Sequence, residues 1–95
     1  MIKIEGSANL FRSMEGVGGK LFLTNKKLIF KSHKINIQRG QTDIKYQDIA
    51  QIIERKTAKL IDNSIRIITT DLTEFAFVVN ERELWIAHIN EQIRL

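Results

Sequence analysis

The chain has no cysteine and no proline, and aromatic residues make up only 7% of its 95 positions. Without cysteine there is no disulfide framework and no thiolate metal site. No apolar run approaches the roughly 20 residues that a membrane-spanning helix needs. The opening residues, Met1 to Gly6, carry no apolar leader segment. Together these absences predict a cytoplasmic protein in a reducing interior. Catalytic motifs are missing as well: there is no HExxH, no P-loop and no GxGxxG. His33 and His88 lie far apart without a matching carboxylate pair, and read as a loop-surface and a helix-surface residue. Ser7, Ser13 and Ser32 have no histidine in a triad-like context. Gly16, Gly18 and Gly19 precede no helix start, so they read as part of a flexible turn, Glu15–Gly19, and not as a phosphate cradle. The expectation is a non-enzymatic protein without cofactor or metal.

What is present suits one folded domain, residues 1–95. A chain of this length buries roughly 60–65% of its unfolded surface, enough for a single core. Hydrophobic residues at 43% and charged residues at 27% are ordinary for a globular protein. The net charge of +4 is unevenly spread. Residues 1–45 hold nine basic and three acidic residues, a surplus of six; residues 46–95 hold six and eight, a deficit of two. A basic half of this kind attracts anionic lipid, nucleic acid or an acidic protein, or simply forms a solvated face.

The stretch Gly18 to Lys31 organises the rest. Two runs of β-formers flank Thr24-Asn25-Lys26-Lys27, which reads as a hairpin with Asn25 and Lys26 as the loop. Counting outward pairs Leu23 with Leu28, Phe22 with Ile29 and Leu21 with Phe30. Because side chains alternate, Leu21, Leu23, Leu28 and Phe30 share one apolar face. Lys20, Phe22, Thr24, Lys27, Ile29 and Lys31 share the other. The first face belongs to the core, and the second is where function can sit.

Before the hairpin, residues 1–6 read as a lead-in and Ser7 to Met14 as a strand. After it, Ser32 to Gln41 reads as a loop or ragged edge strand, and Thr42 to Lys45 as a short strand. Tyr46 to Ile49 turns the chain, and Ala50 to Thr57 is a fifth strand. Lys59 to Asn63 turns it again. Ser64 to Thr70 and Glu74 to Val79 alternate cleanly, with Asp71-Leu72-Thr73 between them. The period then changes. Trp85, Ile86, Ile89 and Ile93 repeat at helical spacing, and no glycine or proline interrupts Glu81 to Arg94. Asn80 and Glu83 are spaced as a capping box. Arg82, Glu83, Glu91 and Arg94 supply the polar positions. The expected core is Leu21, Leu23, Leu28, Phe30, Ile49, Ile65, Ile67, Phe75, Phe77, Trp85, Ile89 and Ile93.

These residues resemble a family. Gly19-Lys20-Leu21-Phe22-Leu23-Thr24-Asn25 followed by Leu28-Ile29-Phe30-Lys31 looks like the hairpin of GRAM domains, members of the pleckstrin-homology-like superfold. Asp48-Ile49, Phe77-Val78-Val79 and Trp85-Ile86 extend the likeness across most of the chain. The resemblance implies a mainly β fold: about seven antiparallel strands in two near-orthogonal sheets, capped at one end by the C-terminal helix. It also implies a binding module tied to membranes or protein partners, not an enzyme, here as a free-standing member.

Three functional classes follow. The first is a module for anionic lipid headgroups using Lys20, Lys26, Lys27, Lys31, Lys34 and Arg39, at roughly 1 kcal/mol per basic residue near the surface. The second is a protein-interaction or self-assembly module, a homodimer included, built on Phe22 and Ile29 within a basic rim. Single-stranded nucleic acid ranks last, since only Phe22 is placed to stack a base.

Overall fold

The computed structural model describes residues 2–12, 15–33, 41–53 and 64–94. Among them are seven strands and one helix: β1 (Ile2–Arg12), β2 (Glu15–Thr24), β3 (Lys27–Ser32), β4 (Gln41–Lys45), β5 (Ile49–Ile53), β6 (Ser64–Thr69), β7 (Glu74–Val79) and α1 (Arg82–Ile93). A single 3₁₀ turn, Tyr46–Asp48, joins β4 to β5. All pairings are antiparallel, and the strand order is β4-β3-β2-β1-β7-β6-β5. The hairpin register matches the counted one, with Leu23 opposite Leu28, Phe22 opposite Ile29 and Leu21 opposite Phe30.

The expected pair of near-orthogonal sheets is replaced by one continuous hydrogen-bonded sheet. The reason lies in β1, which pairs with β2 along its whole length and with β7 through Ala8 to Phe11. The sheet is strongly curled. β3 and β7 are three strand spacings apart, which would separate them by roughly 14 Å in a flat sheet. The rings of Phe30 and Phe77 nevertheless meet with centroids 5.9 Å apart. Only a sheet folded over its own inner face brings them together, and that face is the core.

The core holds Leu21, Leu23, Leu28, Phe30, Ile65, Ile67, Phe75, Phe77, Trp85 and Ile89, as the alternation and the helical stripe require. Ala8, Leu10, Ile44, Tyr46, Val79 and Ile86 join them, and Ile49 packs against the cluster while half-buried. Ile93 departs from the expectation. It is the last residue of α1 and remains 39% exposed. Arg82 departs the other way: a presumed solvated position is buried, because it lies on the same helix face as Ile86 and Ile89. Its guanidinium donates to the Ser64 carbonyl at 3.5 Å.

Other boundaries move as well. β1 begins at Ile2, since the lead-in pairs with β2 as far as Ile2 opposite Thr24. The presumed glycine turn is strand β2, and no described glycine has a positive φ. What glycine supplies there is room. A Cβ at Gly19 would collide with the Lys31 carbonyl oxygen and the Phe30 ring, a close backbone approach at a sheet bend. The capping box does not form. Glu81 is the N-cap, left-handed at φ 57°, with no side-chain cap bond. A single left-handed residue turns the chain from β7 into α1, a job the Asn80 side chain cannot do. Residues 54–63 and 34–40 lie outside the described residues. So do the end of the expected fifth strand, the Lys59–Asn63 turn, and most of the Ser32–Gln41 loop.

Candidate binding surface

The outward side of the β1–β4 half follows from the pleat. Positions alternating with the buried ones are Glu5, Ser7, Asn9 and Phe11 on β1; Gly18, Lys20 and Phe22 on β2; Lys27, Ile29 and Lys31 on β3; and Gln41, Asp43 and Lys45 on β4. The structure therefore brings Lys20, Lys27, Lys31, Phe22 and Ile29 onto one face, with α1 on the other side of the sheet. Lys26 stands at the exposed hairpin tip. Lys34 and Arg39 lie outside the described residues.

The hairpin tip is firmly held. The Thr24 hydroxyl accepts from the N–H groups of Lys26 and Lys27 at 3.1 and 3.0 Å and donates to the Lys27 carbonyl at 2.9 Å. The Tyr46 hydroxyl donates to the carbonyls of Thr24 at 2.6 Å and Lys27 at 3.2 Å. This network buries Thr24, which simple alternation had placed outward. Burial pushes the Tyr46 phenol up to about 12.

Two of the lysines are paired across strands. Lys20 meets Glu5 at 3.4 Å, and Lys27 meets Asp43 at 2.9 Å. A hydrogen bond from the Gln41 amide, then the Lys27 ammonium, holds the Asp43 carboxyl below its ordinary range. The acidic partners come from β1 and β4, distant in sequence but adjacent in the sheet. Lys26, Lys31 and Lys45 make no ion pair among the described residues. Lys31 instead covers the half-buried Phe22, its ammonium 5.6 Å from the ring centroid. Lys45 was not among the expected site residues. Its place follows from Ile44, whose burial turns its neighbour outward.

Elsewhere the surface changes sign. The exposed positions of α1 include Glu83 and Glu91 against Arg94. Outward on β6 and β7, Arg66 and Glu74 neutralise one another at 3.1 Å. Near the β6–β7 turn, a hollow of about 360 Å³ is lined by Asp43, Asp48 and Asp71. Asp71 accepts from the Thr69 hydroxyl and the Thr73 N–H, which hold its carboxyl below its ordinary range. No cluster of metal-ligating side chains occurs among the described residues. His33 is exposed, and the Nδ1 of half-buried His88 lies 3.6 Å from Glu91. Among the described residues, no helix is long and apolar enough to cross a membrane.

The family model for the GRAM domain matches residues 4–83, from β1 into the first turn of α1. The chain belongs to the GRAM domain family. Solved structures agree on its fold. The C-terminal domain of an unknown protein from Leishmania infantum superposes with a TM-score of 0.87 at 20% identity, covering 100% of this chain and 85% of that one. The N-terminal PH domain of human ARAP2 gives 0.76 at 14% identity, with 98% and 79% covered. The Vps36 N-terminal PH domain gives 0.69 at 13%, with 99% and 79% covered. No curated protein matches the sequence. GRAM and pleckstrin-homology-like domains are typically lipid- or protein-binding modules and are generally non-catalytic. In this GRAM domain the hairpin that carries the family likeness is also the one that presents the basic face.

Proposed function

We propose that this GRAM domain is a non-catalytic module that docks on the anionic cytoplasmic surface of a membrane through the outward face of β1–β4. The observation that carries the reading is the sidedness of charge. Among the described residues, Lys20, Lys26, Lys27, Lys31 and Lys45 stand on or beside one face against Glu5 and Asp43, whereas the solvent side of the α1 segment carries Glu83 and Glu91 against Arg94. At roughly 1 kcal/mol per unpaired lysine near an anionic leaflet, Lys26, Lys31 and Lys45 supply about 3 kcal/mol. That falls short of the roughly 4 kcal/mol of a millimolar complex. Further contacts from the apolar side chains of Phe22 and Ile29 bring it into a working range.

Co-sedimentation with neutral phosphatidylcholine vesicles and with vesicles containing phosphatidylserine tests the reading. Binding is expected only to the anionic vesicles, weakened at high salt and abolished when Lys26, Lys31 and Lys45 are all changed to Glu. Equal retention of wild type and variant removes the reading. Phe22 and Ile29, side by side within the basic rim, favour a second one: a protein partner or a second copy on the same face. Sedimentation equilibrium of wild type and Phe22→Lys separates them. A wild-type dimer dissociated by Phe22→Lys assigns the face to self-association.

A further inference from the structure

Leu72, in the turn between β6 and β7, stands apart from the other apolar residues at the surface. It is 83% exposed, whereas Phe11, Leu84 and Ile93 do not exceed 44%. Its backbone is left-handed, φ 69°, a conformation that glycine or asparagine adopts with less strain. The turn holds it there. The Thr69 N–H donates to the Thr73 carbonyl at 3.0 Å, and the Leu72 N–H donates to the Thr69 carbonyl at 2.8 Å. Asp71 accepts from the Thr69 hydroxyl and the Thr73 N–H. A leucine fixed in a strained backbone and pointed at water destabilises the isolated domain, and strain held in place by its surroundings collects at functional sites. The tip is also acidic. Asp71 is exposed next to Leu72, and Asp48 lines the adjoining hollow. Those carboxylates oppose an approach to an anionic membrane, so the tip suits a basic protein surface and not lipid.

We propose that the Leu72 tip seats on the Phe22–Ile29 face of a second copy of the chain. The two surfaces match in shape and in charge. The face has an apolar centre, Phe22 beside Ile29. Around it stand Lys31, Lys45 and, at the hairpin tip, Lys26, none of them in an ion pair among the described residues. The tip offers one protruding apolar side chain with a carboxylate next to it. Leu72 set against Phe22 and Ile29 takes apolar surface of all three out of water. Asp71, arriving with it, meets Lys31, whose ammonium lies 5.6 Å from the Phe22 ring centroid. A two-fold contact of the face with itself brings the lysines of one copy against those of the other, which like charges resist; the tip-to-face contact removes that conflict. It joins two different surfaces, so a copy bound through its tip keeps its own face open, and copies add head to tail. A contact centred on these few side chains is small beside the roughly 1,200–2,000 Å² of a stable interface, so it is weak and concentration-dependent. It deepens the second-copy reading given above and rests on it.

Leu72→Asn removes the apolar tip and keeps the turn, since asparagine tolerates the left-handed backbone. Phe22→Lys blocks the face, and Ile29→Lys is the second blocking variant should the first disturb folding. Sedimentation velocity across a range of protein concentrations is expected to show the wild type growing beyond a dimer, and less so at high salt. Each variant alone is expected to stay monomeric. An equimolar mixture of Leu72→Asn and Phe22→Lys is expected to form a one-to-one complex, because each supplies the surface the other lacks. With the Leu72→Asn copy isotope-labelled, adding unlabelled Phe22→Lys is expected to shift the amides of Phe22, Ile29 and Lys31. A wild type that is monomeric at every concentration overturns this contact and the second-copy reading together. A wild-type dimer that Phe22→Lys dissociates and Leu72→Asn leaves intact overturns the tip contact alone and supports the face meeting itself. Two monomeric variants that fail to combine also overturn the tip contact. The membrane reading is untouched by these results.

Discussion

Tyr46→Phe should be destabilising at neutral pH and stabilising in strong base. Tyr46 is the sole tyrosine of the chain, and its hydroxyl bridges the Thr24 and Lys27 carbonyls at the hairpin tip. Removing the hydroxyl at pH 7 forfeits those bonds, about 1 kcal/mol for a neutral pair in part-buried surroundings. The pH dependence runs the other way. The folded phenol ionises at about 12, and burial is the main cause, while the unfolded phenol ionises near its ordinary value of about 10. A raised folded value means the stabilisation is fully present below pH 10 and is lost as the pH climbs toward 12. Two units correspond to about 2–3 kcal/mol. That exceeds the neutral-pH advantage, so the rank order of wild type and Tyr46→Phe should invert between pH 10 and pH 12. Lysine deprotonation occurs in both proteins and cancels in the difference. Urea unfolding followed by Trp85 fluorescence gives the stabilities. Near-ultraviolet absorbance of tyrosinate reads the phenol directly, with no second tyrosine to confuse it. A folded-state midpoint near 10, or parallel stability profiles for the two proteins, would refute the reasoning.

Three further outcomes are expected. Trp85→Ala empties a site only 4% exposed beside the backbone of Gly6, and should cost about 3–5 kcal/mol in denaturant unfolding. Gly19→Ala should destabilise by about 1–3 kcal/mol, since its methyl meets the Lys31 carbonyl and the Phe30 ring; an unchanged melt would show that the β2–β3 bend can relax. Asp43, with its folded value lowered chiefly by Gln41 and then Lys27, contributes stability at neutral pH that is lost as the pH falls below the ordinary carboxylate range and through the folded value. The pair is exposed, so the contribution is below about 1 kcal/mol, and Asp43→Asn should flatten this part of the acid-unfolding profile.

The hairpin, the β6–β7 pair and the helix were legible because each carries a clean period over a local stretch. Leu21 to Leu23 and Leu28 to Phe30 alternate cleanly on either side of the hairpin tip, and Trp85, Ile86 and Ile89 hold to a single helical stripe. The errors sit where one residue type serves two physical purposes. Glycine at 16, 18 and 19 permits a turn, but here it permits close packing inside a strand, which depends on neighbours the local sequence does not reveal. Asn80 and Glu83 have capping spacing, yet the entry angle from β7 selected a left-handed Glu81. The candidate surface was half legible. Alternation placed Lys20, Phe22, Lys27, Ile29 and Lys31 together, but Glu5 and Asp43 enter through strand neighbours that only the β1–β2 and β3–β4 registers supply.

The strand order has a consequence for how the chain folds. β1 to β4 form one meander of sequential neighbours and β5 to β7 another, so nearly all the pairing is local. One ladder breaks that pattern, the four pairs joining Ala8–Phe11 to Ala76–Val79. It closes a loop of roughly 70 residues, the costliest closure in the molecule by chain entropy. Each meander can assemble early on local contacts, but neither shields its inner face until this ladder forms. The time to fold is therefore set by β1 meeting β7, and substitutions that weaken this seam should slow folding more than equal losses at the hairpin tip.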